Sequence, residues 1–345
     1  MRVAASGRTT TAFMHWLCCA FVFWFSGAVF ASDALGLAWL QAQVRADDSL
    51  AQEDVSGAMP VQGRAEVATT LQAMAGTVPA VLLNAIDQTS GTSVEILARK
   101  ALAKQLTAPS TAYLDALAQQ QNPDGGFGAQ QGYASNVLDT AWALAAFTNE
   151  VNAYGGAVGQ AIAWLIGAQQ SDGQWRLAPD GDALVPTALA VQALQPYRQN
   201  VVVAAAVSKA RAWLLAERDS ALVWGSSLRN AHALMAVLPG LAQAATVQAA
   251  VDALHTAQRP DGSWEGDPYV AALALRASVA ASRPVTDPDL ASVQGVLVSD
   301  ATGQPLAGIT VRLAISGRST VTDAQGRFEF LQLNSGTDTL TVDAA

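Results

Sequence analysis

The chain has 345 residues, 51% of them hydrophobic and 14% charged, with a formal net charge of −9. That length holds two or three domains with a sizeable core, and the composition excludes an intrinsically disordered chain. The acidic balance excludes a protein that holds nucleic acid by its charge. The two cysteines, Cys18 and Cys19, are adjacent, which excludes a disulfide framework and a cysteine-ligated zinc site.

Arg2 and Arg8 precede an apolar run from Phe13 to Ala31 that ends Ala28-Val29-Phe30-Ala31. A basic start, an apolar stretch and small or β-branched residues at −3 and −1 read as a signal peptide over 1–31, cleaved after Ala31. The run is also long enough to span a bilayer, so an uncleaved anchor is the alternative. The membrane would then be reached through this segment alone. Cleavage leaves a cysteine-free chain, and the protein is expected to be exported: periplasmic, cell-surface or secreted.

From about Asp33 to Ser282 the chain is rich in Ala, Leu, Val and Gln. Apolar residues recur at helical spacing, as in Leu138, Ala141, Trp142 and Ala145. Residues 32–109 are expected to form N-terminal helical hairpins, with breaks at Gly57-Ala58-Met59-Pro60 and Gly91-Thr92. Residues 110–282 carry an internal repeat. Its copies are Gln121-Asn122-Pro123-Asp124-Gly125-Gly126-Phe127, Gln169-Gln170-Ser171-Asp172-Gly173-Gln174-Trp175 and Gln258-Arg259-Pro260-Asp261-Gly262-Ser263-Trp264. A degenerate copy ending at Trp224 keeps the aromatic and loses the glycine. Each copy lies between two helical runs, so one unit is helix, Asp-Gly turn, helix. Asp supplies an acceptor for a local backbone donor and Gly tolerates positive φ. The aromatic can fold back and bury a large area. Such units must stack, as an open solenoid or a closed ring.

Gln-x-x-x-Gly-x-Trp, repeated and followed by an Ala/Leu helix, resembles the QW-type repeat of the squalene cyclase and protein prenyltransferase superfamily. The resemblance implies an α/α toroid. Its cyclases use the middle Asp of Asp-x-Asp-Asp-Thr-Ala as the proton donor. The counterpart here, Asn136-Val137-Leu138-Asp139-Thr140-Ala141, keeps the Asp-Thr-Ala tail but has Leu138 at the donor's position. Its prenyltransferases bind zinc through Asp, Cys and His. The mature chain has no Cys and, of histidines, only His232 and His255, so no metal and no cofactor is expected.

The catalytic candidates that remain are Asp139 and His232. Capping its helix is the simpler role for Asp139, and a satisfied structural role the simpler one for His232. Thr187, Arg229, Asn230 and Tyr269 are the ligand-binding candidates, and Thr187, Asn230 and Tyr269 are expected to converge with Asp139 and His232 on one cavity at the ring mouth.

Ser282-Arg283-Pro284-Val285 ends the Ala-rich pattern, and 283–290 read as a linker. Beyond it the apolar period becomes two, as in Val293, Gly295, Leu297 and Ile309, Val311, Leu313, with glycines in the turns. Residues 291–345 are expected to form a small antiparallel β-sandwich. Gly303-Gln304-Pro305-Leu306-Ala307-Gly308 and Thr322-Asp323-Ala324-Gln325-Gly326-Arg327-Phe328 resemble the carboxypeptidase regulatory-like family of Cna-B-like and Ig-like modules. That superfamily includes carbohydrate-binding-like folds. The chain stops just after a late strand, so this domain is expected to be truncated and the chain to be the N-terminal part of a longer surface protein.

The expected function is an exported, non-catalytic binding or scaffold module that meets a protein or glycan through the toroid. The alternatives are an enzyme acting on a polyprenyl or carbohydrate substrate and a small-ligand carrier.

Overall fold

The computed structural model describes residues 26–47, 49–53, 58–106, 111–178, 181–239, 244–282, 290–299, 302–313, 319–334 and 339–342. The expected leader lies outside them up to residue 25, and the expected linker lies outside them over 283–289. The chain divides into two compact units between Pro284 and Val285.

The first unit is helical. Its helices are α1 (Ser26–Gln43), α2 (Pro60–Ala75), α3 (Ala80–Asp87), α4 (Val94–Gln105), α5 (Ala112–Ala118) and α6 (Val137–Phe147), followed by α7 (Val151–Ala168), α8 (Leu184–Leu194), α9 (Val201–Ala216), α10 (Ser227–Val237), α11 (Ala244–Ala257) and α12 (Pro268–Ser282). The even-numbered helices pack in order, α2 on α4, then α6, α8, α10 and α12, and α12 packs back on α2. Six hairpins therefore close a ring. The division between inner and outer helices is written in their composition. Along α8 the buried residues Leu184, Pro186, Thr187, Ala188, Ala190, Val191, Ala193 and Leu194 cover most of the circumference, as a helix flanked on both sides requires. Along α7 only Val158, Ala161 and Leu165 are buried, a single stripe facing inward. Side-chain caps set several helix starts: Ser93 accepts from the Ile96 amide, Asn136 from Asp139 and Ser226 from Arg229.

The repeat motif ties each hairpin to the next. In each full copy the Asp carboxylate accepts from the backbone amide two residues on, at Gly126, Gln174 and Ser263. The Gln amide donates twice. Gln121 reaches the Gly125 carbonyl and, on the next outer helix, that of Ala157. Gln169 likewise reaches Gly173 and Ala206. Gln258 reaches Gly262 and Ser32, which lies on α1. The first helix of the chain thus serves as the outer helix that follows the last hairpin. The indole N–H groups of Trp175, Trp224 and Trp264 return to the Leu165, Leu214 and Leu254 carbonyls at 2.6–2.7 Å.

The degenerate copy keeps this geometry with other residues. Asp219 N donates to Val223 O, as Gln170 N does to Gln174 O. Arg218 stands where the other copies have Gln, and it donates to Thr246 at the start of α11. Leu222 stands where they have Gly, and its φ is +66°. A leucine held there costs about 1–2 kcal/mol. Leu222→Gly is therefore expected to raise stability by about 1 kcal/mol after the glycine's own entropy is counted. Urea midpoints of the two proteins test this, and an unchanged or lower midpoint would show that Leu222 packing outweighs its backbone strain.

The second unit is two small antiparallel sheets. In one, β1 (Leu290–Val296) pairs with β4 (Arg327–Asn334). In the other, β2 (Thr310–Leu313) lies between β3 (Ser319–Val321) and β5 (Leu340–Val342). Val311, Leu313, Phe328 and Phe330 form its core, with Leu340 against them. The Asp323 carboxylate accepts from the Gln325 and Arg327 amides, closing the turn that delivers Phe328.

Candidate functional site

The six inner helices surround an axial cavity of about 430 Å³. Its walls are mostly apolar, with Leu102, Ala141, Trp142, Ala145, Leu189 and Ala193 among them. It is lined toward the C-terminal ends of α4, α6 and α8, which supply Gln105, Ala145 and Ala193. Its charged lining comes from three helices: Glu66 of α2, Arg99 of α4 and Arg276 of α12.

These charges form a chain with Glu95, one turn before Arg99. Arg99 donates through Nε to Glu95 at 2.9 Å and through Nη1 to Glu66 at 3.0 Å. Arg276 donates through Nη2 to the other Glu66 oxygen at 2.6 Å. The Arg99 guanidinium also stacks over Trp142, 4.0 Å from the ring centroid, a favourable cation–π arrangement. Burial alone would push the Glu66 carboxyl up, but the Arg276 and Arg99 guanidiniums outweigh it and hold it at about 2. Burial likewise opposes the Arg99 charge, and Glu66 and Glu95 reverse that effect. His232 of α10 lines the same cavity, only 2% exposed. Desolvation pulls its imidazole down to about 4, so it is neutral at pH 7. Its Nδ1 has no hydrogen-bond partner among the described residues.

The expected convergence needs correction: of the candidates named from sequence, only His232 lines this cavity. Asp139 sits in the first turn of α6 and exchanges hydrogen bonds with Asn136, Nδ2 to Oδ2 at 2.5 Å and Asp139 N to Asn136 Oδ1 at 3.0 Å. Burial raises its carboxyl, with the Asn136 amide opposing. Thr187 is fully buried and accepts from the Trp175 amide at 2.9 Å, as Thr140 does from Phe127. Asn230 does the same for Trp224 and donates to the Ala250 carbonyl at 2.7 Å. These polar groups hold the repeat turns. Arg229 pairs with Asp182 at 2.8 Å on the surface. Tyr269 lies at the start of α12 outside the cavity lining, with burial and the Glu66 charge pushing its phenol to about 12.

Sequence reasoning missed Glu66, Arg99 and Arg276 and read Trp142 only as part of an apolar helical stripe. One signal was present: Arg276 is the sole charge in α12, whose sequence is PYVAALALRASVAAS. A lone charge on an otherwise apolar helix must find a partner when buried.

Asp33, His255 and Ser278 also meet, but not as a hydrolytic triad. His255 Nε2 faces both Ser278 Oγ at 2.9 Å and Asp33 Oδ1 at 3.3 Å, and the serine donates to Asp33 at 2.8 Å. A relay needs the serine and the carboxylate on opposite ring nitrogens. Ser278 is 1% exposed and outside the cavity lining. The cluster joins α1, α11 and α12.

Comparison with known proteins divides along the two units. The model of the carboxypeptidase regulatory-like domain family matches residues 292–345. No curated protein matches the chain. Three solved structures show the helical likeness. A protein from Actinoplanes is 18% identical with a TM-score of 0.61, over 74% of this chain and all of that one. A variant of the type II terpene cyclase MstE from Scytonema, in complex with its substrate geranylgeranyl dihydroxybenzoate, is 16% identical with a TM-score of 0.59, over 74% of this chain and 97% of that one. The ent-copalyl diphosphate synthase from Streptomyces platensis is 20% identical with a TM-score of 0.53, over 64% of this chain and half of that one. At these identities the likeness is one of fold. The helical unit has the toroid fold of these structures, and residues 292–345, which follow it, match the carboxypeptidase regulatory-like model.

Proposed function

We propose that this protein is an exported, non-catalytic binding module that takes a small, largely apolar ligand into the axial cavity of its toroid. The observation that carries this reading is the state of the cavity's one carboxylate. Glu66 accepts from two arginines, which hold it near 2, so it has no proton to give at neutral pH. The nearest counterpart of the cyclase acid is Leu138, and Asp139 is engaged with Asn136 outside the lining. What remains is a hollow with apolar walls and a fixed charge network, within the roughly 300–1,000 Å³ of small-molecule sites. The leader-like N-terminus and the C-terminal module support export and display at or beyond the cell envelope.

The cyclase-like structures keep an enzymatic reading in play, and the substrate in the MstE complex directs the choice of probes. The test incubates the purified chain with prenylated aromatic acids and with free polyprenols. It follows the thermal midpoint and then recovers the ligand by mass spectrometry and NMR. The expected result is stabilisation with the ligand recovered unchanged. A cyclised or hydrolysed product whose formation stops in Asp139→Asn or His232→Ala would overturn the non-catalytic reading.

A further inference from the structure

We infer that the cavity selects a monocarboxylate, its head on Arg276 and its apolar body against the Ala/Leu/Trp wall. This rests on the reading that the cavity takes a ligand.

The charge network alternates in sign, Glu95, Arg99, Glu66, Arg276, and its inner members are fully used. Arg99 spends Nε and Nη1 on two carboxylates and its face on Trp142, and it is 2% exposed. Glu66 has one arginine on each oxygen. Of the two ends, Glu95 lies outside the cavity lining and accepts from Gln62 at 2.8 Å. Arg276 is the end that faces the cavity. Its side chain is 23% exposed, it gives only Nη2 to Glu66, and its Nε and Nη1 have no partner among the described residues. Although the protein is acidic overall, the lining carries two arginines against one glutamate, and His232 is neutral. With Glu95 counted the network balances, two carboxylates against two guanidiniums, and it is the positive end that faces the cavity.

Apart from the neutral His232 ring, whose Nδ1 has no partner among the described residues, the other polar side chains of the wall are already paired. Thr69 donates to the Ala65 carbonyl, Gln105 to that of Ala146, Gln192 to that of His232, and Asn149 to the Gln105 side chain. A ligand thus meets the open charged donors of Arg276 and the neutral His232 ring in a largely apolar hollow. Nε–H and Nη1–H lie on different edges of the guanidinium, and each can give a carboxylate oxygen one charge-assisted hydrogen bond. A diphosphate would bring more negative charge than one guanidinium already paired with Glu66 can meet. A neutral alcohol would offer the open Arg276 donors only an uncharged, weaker acceptor as water is displaced.

The test titrates the full chain with decanoate and with decanol, which differ only in the head group, by calorimetry at neutral pH. Decanoate is expected to bind about ten- to a hundredfold more tightly, the range for a charged hydrogen-bonded contact. Arg276→Gln is expected to remove that preference, so that acid and alcohol bind alike. Ala145→Phe, which fills the opposite wall, is expected to remove both. Equal binding of acid and alcohol by the wild type overturns the carboxylate inference and leaves the cavity reading standing. This comparison needs no variant to fold. Acid binding that persists in a folded Arg276→Gln also overturns it. If neither compound binds, the cavity reading itself fails and the inference with it.

Discussion

Replacing Glu66 with alanine is expected to destabilise the toroid by about 3–5 kcal/mol, the range for breaking a buried ion pair from one side. The loss is large because the partner cannot escape. Arg99 is 2% exposed, lies against Trp142, and would retain Glu95 as its one carboxylate partner among the described residues. Arg276, more exposed, can turn to solvent. Glu66→Met combined with Arg99→Met is expected to recover much of the loss, since an apolar pair of similar volume needs no compensation. Urea unfolding of the single and double variants at pH 7 measures this. A single variant within about 1 kcal/mol of wild type would show that the network adds nothing net.

The same network sets the acid limb of stability. Glu66 is depressed from 4.5 to about 2 in the folded state. Its contribution is therefore complete above pH 4.5 and is lost as pH falls toward 2. At 1.36 kcal/mol per unit this is worth about 3 kcal/mol. His232, depressed from 6.5 to about 4, acts in the same sense one step higher. Its contribution is complete above pH 6.5 and is lost as pH falls toward 4. Asp139 and Asp267, both raised by burial, work in the opposite direction. The net expectation is a stability that falls from about pH 6.5 downward. Glu66→Gln is expected to flatten the segment below 4.5, and His232→Gln the segment above 4. Profiles with unchanged slopes in both variants would remove these groups from the account.

The second large effect is expected at Gly262. A Cβ there would lie 2.5 Å from the Leu35 carbonyl oxygen, and the backbone sits at φ +95°. The corresponding contacts are 2.7 Å from Gly173 to Lys209 O and 3.0 Å from Gly125 to Gln160 O. In each case the turn glycine lies against the backbone of the next outer helix. At Gly262 that helix is α1. Gly262→Ala is expected to cost about 3 kcal/mol, of which roughly 1–2 is the left-handed backbone and the rest the displacement of α1. Gly125→Ala is expected to cost less. Hydrogen exchange should rise over residues 32–43 in Gly262→Ala and not in Gly125→Ala. Equal melting temperatures for wild type and Gly262→Ala would mean that α1 is not held as described.

The toroid was legible because each motif residue acts on nearby backbone. Asp124, Gly125 and Gln121 shape a turn by local rules, and repetition makes the pattern visible. The closure was not legible. Ser32 contributes a main-chain carbonyl, which any residue could supply, so nothing in residues 32–43 advertises a partner some 226 positions away. The site was hidden for a related reason. Thr187, Asn230 and Asp139 drew notice as polar residues at inner-helix starts, but those starts are where the repeat turns need donors and acceptors. The cavity charges lie further along their helices, with 33 positions between Glu66 and Arg99 and 210 between Glu66 and Arg276. Only the closed ring brings them together.

A ring whose last joint links its first helix to its last hairpin has a particular assembly order. Neighbouring hairpins can form as they are synthesised, but α1 has no seat until residues 258–264 exist. Bridging that span adds little to the entropic cost, which grows only with the logarithm of length. It does slow the final step, because distant contacts form late. Until then α1 stands with its apolar stripe uncovered and the charges of α2, α4 and α12 remain apart. A circular permutant of the helical unit that fuses its two ends and opens in the segment between α4 and α5 would make that distant joint a local one. It should reach the same ring sooner, with its slow step moved to the new opening.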